Sequence, residues 1–433
     1  MEDMLSEKKL GTEVPEELET RLHNALQNRK PRIRIKNNWQ IKIAAVLVVV
    51  LLAGFHSDTL ANFGKMIIGY DQVMNGTLND LNEMGKGQVI NESYTSKTGI
   101  IVTLDGIMLD DNQLIAFYSI QNPSGNIENI SLAGSSFEGE KGRYDHHSGQ
   151  GMTNTEKSEE SWVASYEVPP SSEKNLSFCF SIIDENPIED VQEPGKVSFI
   201  LDRNKAMGHS LKKGLHDTIK VDNALIRFKS IVASPTSTVV KGSIQNIFEL
   251  AWDYFTKDRI RPYILELKLI ADGQEIAHQS GNIHTDRYGI TFEKQFDALP
   301  TDLKKLQIEL VSFRADYDVH QQMELNKSSE EQSMEILGQH VVINKVWESE
   351  GDTYINITSE GSVILSKIYL MTDGRRLNLE ETIADNYAEK ADGAETHTRT
   401  LHFTGTAGND IEMHIDRISY TKTYNQIIDI PVD

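Results

Sequence analysis

A single cysteine, Cys179, stands in a chain of 433 residues. No internal disulfide is therefore available, and any folded part must be held by its cores. Positive charge is also short, with 43 Lys and Arg against 65 Asp and Glu, a net of −22. The deficit lies beyond residue 42: the first 42 residues carry nine basic and seven acidic side chains, the rest 34 and 58. An acidic part of that size avoids nucleic acid and anionic lipid, so direct nucleic-acid binding is not expected. Phosphate-loop, His-Glu-x-x-His and Gly-x-Ser-x-Gly patterns are missing as well. No residue is assigned to catalysis, to a cofactor or to a metal, and an enzyme is not expected.

Long apolar runs are scarce, with one clear case. Ile43 to Phe55, IAAVLVVVLLAGF, gives 13 uninterrupted apolar or small positions. A helix needs about 20 residues to cross a hydrocarbon core. Taking in Trp39 and extending to Leu60 supplies that length, so residues 39–60 are expected to form a transmembrane helix. Trp39 suits the membrane interface, and Lys42 can return its ammonium to the headgroups. Arg29, Lys30, Arg32, Arg34, Lys36 and Lys42 precede the run with no acid among them. That bias holds the N-terminus in the cytoplasm and puts the C-terminal domains outside. A cleaved leader of this length without an A-x-A site is disfavoured. The expectation is a single-pass cell-membrane protein with the lipid bilayer as one partner.

Residues 1–38 form the expected cytoplasmic segment. Within it, EVPEELETRLHNALQN reads as one short amphipathic helix, with Pro15 and three glutamates favouring its first turn. Leu18, Leu22 and Leu26 recur at four-residue spacing and make an apolar stripe that needs a partner.

After the span, residues 61–94 read as a helical stalk, or, from the spacing of Ile67, Met74, Leu78 and Leu81, as amphipathic helix packed on the first module; from Thr95 the periodicity changes to two. Three segments resemble one another. Gly99–Asn122 aligns without a gap to Asn223–Asn246 at an offset of 124, and to Gly338–Gly361 at an offset of 239. Val102, Leu104 and Ile107 match Ile226, Phe228 and Ile231, and also Val341, Ile343 and Val346. Each segment reads as strand, turn and strand, with turns at Asp110-Asp111-Asn112, Ser234-Pro235-Thr236 and Ser349-Glu350-Gly351. One side of each hairpin must be buried against a second layer. The fold class is therefore mainly β, with tandem immunoglobulin-like β-sandwich modules at 95–205, 215–320 and 333–433. Two larger units, the last two modules packed together, are the alternative. Residues 202–219 and 321–333 read as linkers, and the polar, glycine-rich stretch 131–161 as a long loop or irregular edge region of the first module.

Several side chains merit a chemical reading. Asp105, Asp110 and Asp111 could offer oxygens to calcium, but their spacing is not that of an EF-hand loop and they suit a hairpin turn better. His146 and His147 beside Asp145 give two zinc ligands without a third. Cys179 alternates away from Leu176, Phe178 and Phe180 and has no assigned base. Trp162, Trp252 and Trp347 fall on expected strands and read as packing residues.

VPEELETRLHNAL, the basic stretch, the apolar run and TSKTGIIVTLDGIMLDDNQLIAFYSI together resemble a Bacillus-type membrane-anchored family carrying the domain of unknown function 4179. NALIRFKSIVASPTSTVVKG resembles the immunoglobulin-like C-terminal domain that accompanies it. The resemblance implies an anti-sigma-factor-like role with a cytoplasmic sigma factor as partner, and it brings no catalytic residues. The functional expectation is a single-pass regulator that couples an extracellular ligand or envelope component to that factor. A non-catalytic cell-surface interaction or adhesion protein is the alternative.

Overall fold

A computed structural model describes residues 67–184, 191–222, 224–327, 331–389, 395–408 and 410–432, all within one compact unit, Gly64–Asp433. The expected helix with Leu18, Leu22 and Leu26, and the span 39–60 with Trp39 and Lys42, lie outside the described residues. Among the described residues no helix is long and apolar enough to cross a membrane. The described chain is mainly β.

The first region begins with helix α1 (Gly76–Glu83) and strands β1 (Gln88–Thr95), β2 (Ile101–Leu109) and β3 (Leu114–Gln121). It continues through β4 (Ile130–Gly139), β5 (Gly142–Thr153), β6 (Glu159–Tyr166), β7 (Asn175–Asp184) and β8 (Val191–Ile200). The strands pair in the order β1-β2-β3-β6-β5-β4-β7-β8. β5 pairs with β4 through Gly142–Asp145 and with β6 from His146 onward, so it passes from one layer to the other. Leu104, Tyr118 and Tyr166 of one layer meet Phe137, Phe178 and Phe180 of the other in a single apolar core.

Two expectations are corrected here. Residues 61–94 do not make a helical stalk in their described part, which holds one eight-residue helix and then β1. Gly85 and Gly87 take positive φ and end the helical path, a conformation that glycine alone enters freely. Residues 131–161 are not a loop either, since they supply β4, β5 and the start of β6. Of the β5 side chains only Tyr144 is buried. Apolar alternation cannot reveal a strand that is held by backbone pairing and faces water on both sides.

The second region contains β9 (Leu211–Gly214), β10 (Thr218–Val221), β11 (Ala224–Ala233), β12 (Thr238–Asn246) and helix α2 (Ile247–Thr256). β13 (Ile260–Ala271), β14 (Gln274–Ile276), β15 (His278–Asp286), β16 (Gly289–Phe296) and β17 (Leu306–Leu325) follow. The third supplies β18 (Gln332–Ile336), β19 (Gln339–Ser349), β20 (Asp352–Glu360), β21 (Ile364–Thr372), β22 (Arg375–Glu389), β23 (Glu395–Phe403) and β24 (Ile411–Ile430). These strands do not separate at 321–333. β13, β14 and β17 join all seven strands of the third region in one ten-stranded sheet, ordered β14-β13-β17-β24-β21-β22-β23-β20-β19-β18. β17 and β24 run antiparallel from Leu306 opposite Ile430 to Leu325 opposite Ile411. One core extends from Leu215 through Phe228, Phe313 and Ile343 to Ile430. Segments 215–320 and 333–433 therefore share one sheet and one core, and the expected linker 321–333 begins inside β17. Residues 202–219, the other expected linker, include a 3-10 turn and β9.

At that junction Asp318 on β17 binds both neighbouring strands. Arg261 of β13 donates to its two oxygens at 2.8 and 2.6 Å, and Arg417 of β24 donates at 2.9 Å. Burial alone would raise this carboxyl, yet the two guanidiniums hold it down at about 2.

The three related hairpins share a defect. The register between β2 and β3 shifts after Leu104, between β11 and β12 after Phe228, and between β19 and β20 after Ile343. In each case one residue bulges out: Asp105, Lys229 or Asn344, at matching repeat positions. A bulge inserts one extra residue and restores the inward phase one step late. That explains why the matched apolar positions are spaced two and then three apart.

Candidate functional site

The bulge of β2 lies beside a surface cleft. Strands β2, β3 and β6 bury one face in the core already described. Their other face is covered by residues 67–84, which form a strap. Ile67, Tyr70, Val73, Met74 and Leu78 of the strap pack on Met108, Ile115, Phe117 and Val163 of the sheet. This second core explains why β3 is buried along nearly its whole length.

Three contacts fasten the strap. The buried Asn82 side chain accepts from the Ile67 amide at 2.9 Å and donates to the Ile67 carbonyl at 2.7 Å, as a paired strand would. Gly106, beside the bulge, leaves room for Ile67: a Cβ there would lie 2.9 Å from Ile67 Cγ1. The third is polar. The Tyr70 hydroxyl donates to Asp105 Oδ2 at 2.5 Å, and Ser119 Oγ donates to the same oxygen at 3.3 Å. The Tyr70 ring stands edge-on to Phe117 at 5.5 Å. Burial raises the Asp105 carboxyl above the ordinary aspartate range, against the lowering effect of its two hydroxyl donors. Burial and the facing Asp105 charge push the Tyr70 phenol far up, so it remains a donor.

Beside this contact a cleft of about 620 Å³ opens between the strap and the ends of β5 and β6. Gln72, Asp105, Ser119, Asn154, Glu159 and Ser161 line it. Carboxylate, amide and hydroxyl groups in that arrangement suit a polar ligand rich in hydrogen-bond donors.

The aspartates considered as a calcium set go separate ways. Asp105 faces Tyr70. Asp110 is buried and accepts from the amides of Asn112 and Gln113 at 2.9 and 3.0 Å and from the Thr236 amide at 3.0 Å. Asp111 pairs with His209 at 2.7 Å. Asp110 thus shapes its own turn and fastens it to the turn of the second hairpin. Asn112 Nδ2 adds bonds to the carbonyls of Val232 and Ser237 at 2.9 and 2.8 Å.

His146 lies on β5 edge-on to Tyr166 at 5.3 Å, where burial lowers its pKa. Among the described residues no group of three or more His, Cys, Asp or Glu is arranged to hold a metal ion. Burial pushes the Cys179 thiol up to about 11, which leaves little thiolate at neutral pH. Trp162 stacks on Tyr118 and Trp347 on Tyr354. Trp252 is a correction: it lies on α2, not on a strand, and is 69% exposed. The residues missed from sequence were Tyr70, Asn82 and Gly106. A signal for the bulge existed in the two-then-three spacing, and the apolar positions Ile67, Met74 and Leu78 allowed packing on the first module without pointing to Tyr70 or Asn82.

Comparison with known proteins adds a family and two loose structural likenesses. No curated protein matches the chain. A crystal structure of a conserved domain protein from Bacillus anthracis is 17% identical, with a TM-score of 0.38, over 55% of this chain and 82% of that one. An uncharacterised Listeria monocytogenes EGD-e protein, crystallised with glucose, magnesium and calcium, is 6% identical. Its TM-score is 0.16, over 71% of this chain and 29% of that one. Residues 34–122 match the family described as Domain of unknown function (DUF4179). The matched stretch takes in the basic flank, the apolar run, the strap and β1 to β3. The chain therefore carries a DUF4179 domain, which contains the strap and the β2 and β3 part of its seat, while Val163 of β6 lies beyond it.

Proposed function

We propose that this protein is a non-catalytic, single-pass membrane regulator of the anti-sigma-factor type. In this reading residues 39–60 cross the bilayer, with Trp39 and Lys42 at the inner interface. Leu18, Leu22 and Leu26 hold a cytoplasmic sigma factor. The acidic β-modules, read as immunoglobulin-like sandwiches, lie outside and respond to an extracellular ligand or envelope component. The two-layer packing of the first region supports the sandwich reading.

One observation carries the coupling. From Ile67 onward the chain is built onto the sheet, with Ile67 and Tyr70 packed against it, Tyr70 bound to Asp105, and Asn82 closing the strap on Ile67. A ligand in the polar cleft, or a pull on the strap, would bias the same Tyr70–Asp105 contact. A detachable segment clamped beside a binding cleft is the two-state element that signalling requires.

The test is co-purification of the full chain from membranes with the sigma factor encoded beside it. Association is expected, and replacing Leu18, Leu22 and Leu26 together by Ser should abolish it without loss of membrane retention. A purely adhesive surface protein would tolerate that replacement in its function. No association with the wild-type, membrane-embedded chain overturns the regulator.

A further inference from the structure

Helix α2 is built inside out. Its ten residues, IFELAWDYFT, include none that is buried. Phe248, Trp252 and Phe255 recur at spacings of four and three and form one face. They are 82%, 69% and 80% exposed, and Tyr254 beside them is 76% exposed. Leu250 and the polar residues are the ones turned to the protein. Glu249 binds the Arg227 guanidinium, with one contact at 3.1 Å, and accepts from the Asn246 amide at 2.7 Å. Asp253 accepts from Gln245 Nε2 at 2.6 Å. Asn246 closes the capping box by accepting from the Glu249 amide at 3.0 Å. The carboxylates thus fix the helix to its sheet, and the aromatic ridge is held rigidly in solvent. Such a ridge usually marks an interaction surface.

We propose that this ridge inserts into the interfacial layer of a lipid bilayer, an inference that rests on the single-pass reading above. Three observations favour lipid over another protein. The exposed side chains are Trp, Tyr and Phe, the residues that settle at the headgroup boundary. Basic side chains lie beside them, interspersed with Asp258 and Asp286: Lys257 and Arg259 follow the helix, and Arg287 lies over the exposed Tyr288 ring at 4.8 Å. Tyr288 adjoins the helix start, since its carbonyl accepts from the Ile247 amide at 3.1 Å. Finally, six residues separate Leu60, the end of the proposed span, from Ile67, a tether of about 25 Å at full stretch. A folded part so tethered stays within reach of the bilayer. The strong net negative charge beyond residue 42 argues that the contact is apolar insertion and not attraction to anionic lipid.

The test uses the full chain reconstituted in phosphatidylcholine vesicles, with Cys179→Ser as background and a polarity-sensitive dye on Ala251→Cys beside the ridge. The comparison chain carries Phe248→Ser, Trp252→Ser and Phe255→Ser in addition. These side chains are exposed, so the fold should survive. The expected result is a blue-shifted dye, quenched by nitroxide headgroup lipid and several-fold less sensitive to iodide than in the comparison chain. Equal iodide quenching in both chains overturns the proposal. Shielding from iodide without nitroxide quenching also overturns it, and assigns the ridge to a second copy or another protein. Alkaline carbonate extraction reads the anchor independently. If the chain is extracted, the single-pass reading fails, and the same dye assay on chain added to preformed vesicles still decides whether the ridge enters lipid.

Discussion

The two helices α1 and α2 are of similar size, and each is capped by an asparagine, Asn75 or Asn246. They differ in which way they face. α1 turns Leu78 and Asn82 onto the sheet and helps to close a core. α2 turns Glu249 and Asp253 onto its sheet and leaves its aromatic residues outside. Amphipathicity alone therefore does not say where the protein lies. The polar groups decide it here, because a carboxylate with a guanidinium and an amide to bind is fixed more firmly than an aromatic ring with nothing to cover it.

This contrast predicts where substitutions will be felt. The largest effect is expected for Asn82→Ala, which leaves the Ile67 amide and carbonyl without their partner. At roughly 1–3 kcal/mol for each unsatisfied buried group, urea unfolding should show a loss of about 2–5 kcal/mol, with new protease cleavage in the strap. Leu78→Ser should cost about 2–4 kcal/mol as a core truncation. Its counterpart on the other helix, Phe248→Ser, should stay within about 0.5 kcal/mol. Equal costs would mean that the ridge of α2 is covered in the isolated chain. Loss of either cap, Asn75→Ala or Asn246→Ala, should cost about 1 kcal/mol. The second should exceed the first, because the Asn246 side chain caps the amides of both Phe248 and Glu249, where that of Asn75 caps the Leu78 amide alone.

The smallest effect is a pH slope. Burial raises the Asp105 carboxyl in the folded state, so the folded chain holds that proton more tightly than the unfolded one. Its ionisation therefore weakens the fold as pH rises from the ordinary aspartate value through the raised one. Asp105→Asn removes this penalty and should gain stability relative to wild type across that window, as measured by unfolding midpoints at successive pH values. A variant that loses ground as pH rises would show a carboxylate that the strap stabilises.

Much of the β-organisation was legible because burial of one strand face imposes a period of two. The matched triplets from Val102, Ile226 and Val341 even carried the bulge, in their late third position. What escaped notice depended on partners distant in sequence. Asn82 has no periodic signature, since its role is to replace strand pairing for one residue, Ile67. Trp252 was assigned to a strand because aromatic residues favour strands, although Asn246 followed by Glu249 is a helix-start pattern. β5 escaped for the opposite reason, having polar side chains and relying on its backbone. The polar cleft could not be read because its walls, at 68–73, 105, 119 and 152–161, meet only in the folded chain.

The long β17–β24 ladder has a consequence for the order of assembly. Its first residue, Leu306, pairs with Ile430, almost at the end of the sequence. As the chain is synthesised, β17 must wait through the whole third region before that edge is closed. Contacts of such long range fold slowly, and an open twenty-residue strand is a template for pairing with a neighbour. Truncation before Ile411 would leave that edge open permanently, and the vulnerable product would be the shortened chain, not the complete one.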